Sequence, residues 1–414
     1  GAASVAIGVF SGKDKQGENS VAIGNSAGYT TQGGSSVAIG IVAGNDKQGA
    51  SSVAVGSNAG QISQGGSSVA IGVVSGYTTQ GANSVAVGSN AGHTSQGDGS
   101  VAVGVLSGAN NQKAGGIAVG VNAGNSSQGV NSVAVGSDAG YNTQGVNSVA
   151  MGSSAGNITQ GEASVAIGVT SGYDKQGVNS VAIGSNAGKT SQGVNSVAIG
   201  VVAGYDKQGA NSVAVGPNAG QTNQAEQSVA VGLAAGQLNQ STLSVAIGTA
   251  AGYSAQKDYC VAVGANAGNS GQAHGGTSVG PNAGFQNQST SATAIGDSAG
   301  YTSQGHSSAA VGLFAGYDKQ GADSVAIGHS AGKNSQNGGS VAIGVVAGFD
   351  TQGPSSVAVG SRAAQLSQGG NSVAIGVVAG YDKQGDHSVA VGDTAGYTNQ
   401  ATLSVAVGNA AGRD

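Results

Sequence analysis

Five histidines, one cysteine and six Asp-Lys pairs are the residues of this 414-residue chain best suited to chemistry. Metal capture needs several His, Cys, Asp or Glu side chains that converge. His93, His274, His306, His329 and His387 are far apart in a strictly periodic chain, and they do not fall on one face of neighbouring coils. The acids form no pair suited to proton transfer, and no nucleophile, base and orienting group come together. The sequence therefore predicts no enzyme, no cofactor and no metal site. Cys260 stands where almost every other repeat has serine. That position suits a small residue in a packed row, the alternative being a reactive or intermolecular thiol. The pairs Asp14-Lys15, Asp46-Lys47, Asp174-Lys175, Asp206-Lys207, Asp318-Lys319 and Asp382-Lys383 are chain neighbours. Strand neighbours face opposite ways, so each Asp is not expected to pair with its own Lys.

The elements carrying these residues follow from a sixteen-residue unit that repeats 26 times without insertion or deletion, as in Ser180 to Asn195. Glycine fills the column Gly8, Gly24, Gly40 up to Gly408, and glutamine fills the column Gln16, Gln32, Gln48 up to Gln400, without exception. A period so short and strict predicts stacked coils, one unit per coil, over residues 1–414 as a single array without separate caps. Gly1 is in phase with Gly17 and Asp414 with Asp14, so each end is expected to be covered by more of the same array, in this chain or a neighbouring one.

Composition narrows the class. With 80 glycines and 7% charged residues the chain could pass for a disordered segment, but 38% of it is hydrophobic and those residues return at fixed phases. Glycine does not recur every third residue, which excludes collagen. A formal charge of −5 without a basic stripe argues against nucleic-acid binding. No apolar run is long enough to span a membrane as a helix.

Within a unit, Val181-Ala182-Ile183 alternates with a period of two and reads as a short strand, with Val181 and Ile183 on one face and Ala182 on the other. The valine and isoleucine, with Val5 and Ile7 and their equivalents, are expected inward. The segment Ala187 to Gln192 lacks helical spacing and ends at Gly193, so it reads as a second strand and a turn. Recurrent glycine opposes helix by about 1 kcal/mol per residue. The result is an all-β, parallel β-solenoid, with each strand paired to its copies above and below.

Several columns then acquire meaning. Gln16, Gln32, Gln48, Gln192, Gln208 and Gln400 are expected to form an inward ladder, each amide donating to the next. An apolar pair marks many alternate coils: Val9-Phe10, Ile41-Val42, Val201-Val202, Leu313-Phe314 and Val377-Val378, against polar pairs such as Ser57-Asn58. That pattern predicts lateral or oligomeric packing, the alternative being packing of the coil's own corner. Tyr29, Tyr77, Tyr173, Tyr205, Tyr301, Tyr317 and Tyr381 share one surface column, which could grip glycans or simply decorate the strand.

The core S-V-A-I-G, as in Ser84 to Gly88 and Ser340 to Gly344, resembles the head repeats of trimeric autotransporter adhesins, and the likeness runs the length of the chain. It implies a left-handed β-roll and an extracellular or cell-surface fibre that associates with copies of itself and contacts a host or surface glycan or protein. The family's repeat is usually shorter and lacks the Gln-Gly column. The sixteen-residue period and Ala203-Gly204-Tyr205 also resemble ice-nucleation repeats, which makes ice binding the alternative function. The threonine rank such binding favours is broken by Asp46-Lys47 and Ile62-Ser63.

Overall fold

A computed structural model describes residues 2–413, in two compact units that divide between Ala210 and Asn211. Gly1 and Asp414, which the expected end-to-end continuation invokes, lie outside the described residues. Both units are parallel β-solenoids with one sixteen-residue repeat per coil. In the first, the first strand of each coil recurs thirteen times, from Val5–Ile7 to Val197–Ile199, and in the second thirteen times more, from Val213–Val215 to Val405–Val407. Among the described residues there is no helix, and so none long and apolar enough to cross a membrane.

Pairing keeps identical positions together: Val21 opposes Val37, Ala22 opposes Ala38 and Ile23 opposes Ile39. Backbone donors are satisfied along the stacking direction. Val21 N–H donates to the Ser36 carbonyl at 2.9 Å and Gly24 N–H to the Ile7 carbonyl at 2.8 Å, and this pattern recurs coil after coil.

The strand faces the opposite way from the sequence expectation. Ala22, Ala38 and Ala54 are fully buried, whereas Ile39 and Ile71 are 37% and 40% exposed. Valine and isoleucine point outward, and the interior belongs to the Ala6, Ser11 and Gln16 columns together with the serines that start each strand. The reason is thickness. A Cβ added at Gly44 would lie 3.3 Å from the Ala38 Cβ and 2.7 Å from Gln48 Oε1. The space between the walls is one methyl group deep, so a branched side chain has no volume to occupy.

Two glycine columns shape the turns. At Gly88 φ is +130°, and a Cβ there would fall 2.5 Å from the carbonyl oxygen of Gly104 in the next coil. No L side chain fits that backbone or that gap, which explains an all-glycine column. The serines close the other corner: Ser20 Oγ donates to the Gly17 carbonyl at 2.6 Å.

The second strand is less uniform, and residue type at the Lys15 column accounts for much of this. Lys47, Asn111, Asn223, Asn239 and Ala255 are left-handed there, with φ between 52° and 57°. Thr31, Thr79, Thr143, Thr159 and Thr351 stay extended and form strands such as Thr79–Gln80. A β-branched side chain resists the left-handed region, so threonine holds the ladder where asparagine or lysine lets it bend.

Candidate interaction surface

The potential chemical groups do not converge. Among the described residues, no three His, Cys, Asp or Glu side chains could hold a metal ion. The one ion pair there, His306 Nδ1 to Asp323 Oδ1 at 3.7 Å, lies on the surface. Cys260 is buried, donates to the Ala273 carbonyl at 2.8 Å, and has its thiol pKa pushed up by burial. Asp46, Asp206 and Asp318 accept hydrogen bonds from Thr30, Thr190 and Thr302 of the preceding coil, at 2.8, 2.8 and 2.6 Å. Solvent-open grooves of about 180 and 250 Å³ flank Lys113, which replaces a glycine. Both are smaller than the ~300–1,000 Å³ of a small-molecule pocket.

The glutamine column is inward, and its first partner is the backbone. Gln16, Gln32 and Gln48 Nε2 each donate at 2.7 Å to the carbonyls of Val5, Val21 and Val37, and Gln192, Gln208 and Gln400 do the same to Val181, Val197 and Val389 at 2.8 Å. Amide-to-amide bonds are added in part of the column, as from Gln192 to Gln208 at 3.2 Å and from Gln224 through Gln240 to Gln256. Elsewhere, as at Gln32, Gln48 and Gln64, the buried Oε1 has no hydrogen-bond partner. It lies instead against the α-carbon of Gly28, Gly44 or Gly60, where a Cβ would come within 2.7–2.8 Å. That space exists only because the facing residue is glycine.

The aromatic column stacks on itself. Phe285, Tyr301 and Tyr317 are parallel, with ring centroids 4.9 and 4.8 Å apart, and Tyr381 stacks on Tyr397 at 5.1 Å. Tyr77 stacks on His93, and Lys13 and Lys189 sit over the rings of Tyr29 and Tyr205. The Lys13 ammonium also donates to the Tyr29 hydroxyl at 2.9 Å, which raises its pKa. Tyr173 lies half-buried in the same column. Tyr301 thus has both ring faces covered, and the other stacked rings have at least one. Asparagine has its own use here, missed in the sequence: Asn45, Asn125 and Asn157 donate to the turn carbonyls of Ser26, Leu106 and Asp138. A signal for this was available, since these asparagines share the tyrosine column.

The outward Val5 and Ile7 columns make the most extensive apolar feature of each unit. Beside them, past the Gly8 column, stand the apolar pairs. Val9, Phe10, Ile41, Val201 and Val377 are more than half exposed, Leu313 is 38% exposed, and Val42, Val202, Phe314 and Val378 are half-buried. Phe314 meets the Tyr317 ring edge-on at 5.7 Å, so part of this row does pack locally. Comparison with protein-family models and with curated proteins finds no match to this chain.

Proposed function

We propose that the chain is a structural segment of an extracellular fibre that associates with copies of itself through the Val5 and Ile7 columns. The observation behind this is the outward placement of two columns of largely aliphatic residues, interrupted in the Val5 column only by Thr277, Thr293 and Ala309. A continuous apolar surface of this kind marks an interface on a soluble protein. The magnitudes agree. Ile71 is 40% exposed, and covering it would yield about 0.6–1 kcal/mol. In residues 2–210, Ile7, Ile39, Ile71, Val103, Met151, Ile167 and Ile199 are exposed in this way and together give about 4–7 kcal/mol, at the lower end of the ~4–15 kcal/mol that association costs. The Val5 column supplies the surplus. The likeness of the S-V-A-I-G core to trimeric autotransporter heads supports an assembly of three chains and a cell-surface setting.

Two narrower readings fare less well. Glycan capture is disfavoured where the tyrosine column stacks, as at Phe285, Tyr301 and Tyr317, because stacking covers the ring faces a sugar would use. Ice binding needs a rank of free hydroxyls, and Thr30, Thr190 and Thr302 commit theirs to aspartates. Sedimentation velocity on the full chain tests the proposal. Self-association at micromolar concentration is expected, and replacing Val133, Val135, Val165 and Ile167 by lysine should abolish it. A wild-type chain that stays monomeric at tens of micromolar refutes the proposal; thermal hysteresis in that monomer would favour the ice-binding alternative.

A further inference from the structure

We propose that the row of apolar pairs beside this face is a register key, fixing how two copies of the chain slide against each other. The inference rests on the self-association reading above. The flat face alone cannot fix a register. Every coil offers nearly the same Val-Ile pair, so a slip of one coil, about 4.8 Å, restores almost every contact.

The neighbouring row breaks that degeneracy. From Val9-Phe10 to Val105-Leu106, the pairs Ile41-Val42 and Val73-Val74 alternate with Ser57-Asn58 and Ser89-Asn90, a knob and then a notch, with a period of about 9.6 Å. The rhythm lapses from Val121-Asn122 to Ser153-Ser154 and resumes with Val169-Thr170 and Val201-Val202. Ile41 and Val73 are 59% and 53% exposed. The second residue of each pair is left-handed in every case, with φ of 59°, 59°, 60° and 56° at Val42, Asn58, Val74 and Asn90. Asparagine accepts that backbone readily, whereas valine resists it. The valines therefore sit against local strain, which fits a use beyond their own coil.

Area decides between holding and aligning. A half-exposed aliphatic side chain offers on the order of 50 Å². Six knobs in residues 2–210 give roughly 300 Å², well below the ~800 Å² per partner of a stable interface. The row cannot hold a partner by itself, but it can discriminate between positions of one held by the flat face. The occupant is a second copy of this chain, because a partner must share the two-coil period to seat knob after knob. Shifted by an odd number of coils, most knobs meet a polar notch, Val121-Asn122 being the exception, and the favoured registers differ by two coils.

Pulsed electron–electron spin distance measurements on the full chain test this, with one label at exposed T143C in a C260S background. Distances between copies should fall into a single population or populations stepped by about 9.6 Å. Replacing every apolar pair by Ser-Asn, the pair found at Ser57-Asn58, Ser89-Asn90 and Ser185-Asn186, should retain association and add populations one coil apart. Wild-type populations already one coil apart, or a distribution that ignores the substitution, would overturn the register key while leaving self-association standing. Loss of association in the substituted chain would overturn it too, by making the row the source of affinity. A monomeric wild type removes both readings.

Discussion

Exchanging the faces of one strand is the most direct test of how this solenoid is built. Ala150 is fully buried, and a Cβ added at the facing Gly156 would lie 3.3 Å from the Ala150 Cβ and 2.8 Å from Gln160 Oε1. Ala150→Val introduces two methyl groups where not even one fits. Overpacking costs about 1–3 kcal/mol in ordinary cores. Here the opposing wall is glycine backbone and an anchored amide, so the upper end, about 3 kcal/mol, is expected. Its neighbour Val149 is half-buried on the outer face. Val149→Ala gives up only part of the value of a valine side chain, about 0.5–1 kcal/mol. Long repeat arrays unfold without full cooperativity, so a global midpoint would dilute both effects. Hydrogen exchange of the amides from Val149 to Gly168, followed by mass spectrometry, reads the local loss instead. If Val149→Ala costs more than Ala150→Val, the strand faces the other way and the thin-core argument fails.

The remaining predictions address single columns. Gln192→Ala removes the amide held by the Val181 carbonyl and by Gln208, and should cost about 1–3 kcal/mol by local exchange; exposed Ser191→Ala should cost little, and equal effects would count against an inward ladder. Ala364 is the left-handed residue, φ 48°, that interrupts the Gly12 column, so Ala364→Gly should stabilise its coil by about 1 kcal/mol; a thermal shift downward would contradict this. Burial raises the Cys260 thiol pKa, so the folded state holds its proton more tightly than the unfolded one. That contribution is complete below the ordinary thiol value of about 8.5 and is lost as pH rises above it. Cys260→Ser should flatten the alkaline decline in local stability, and rapid alkylation of Cys260 in the native chain would show the burial to be wrong.

Strand position, coil length and the inward glutamines were all legible, because each depends on period alone. Orientation was not. Alternation in Val181-Ala182-Ile183 separates two faces without saying which is the core, and the habit of placing the larger aliphatic side chains inside presumes a core deep enough for them. The corrective signal was present in the variety of each column. Position 6 is alanine in every coil except at Ser278, and position 11 is alanine or serine throughout, whereas position 5 admits Ile117, Thr277 and Ala309 and position 7 admits Met151. Strict limits on size mark the confined side, and tolerance marks the open one. The partial ladder was beyond sequence reasoning, because the Val carbonyl that captures each amide belongs to the backbone and has no sequence signature.

The direction of the hydrogen bonds has a mechanical corollary. Because they run from coil to coil, along the line of stacking, a force pulling an end away from its unit loads one coil's bonds at a time, like a zipper. Each coil that detaches frees sixteen residues, up to about 53–58 Å of extended chain, in place of about 4.8 Å of stacked length. The unit would lengthen in equal steps at nearly constant force, absorbing work coil by coil. A companion bound along its side would share that load across many coils, and the same array would then act as a stiff strut.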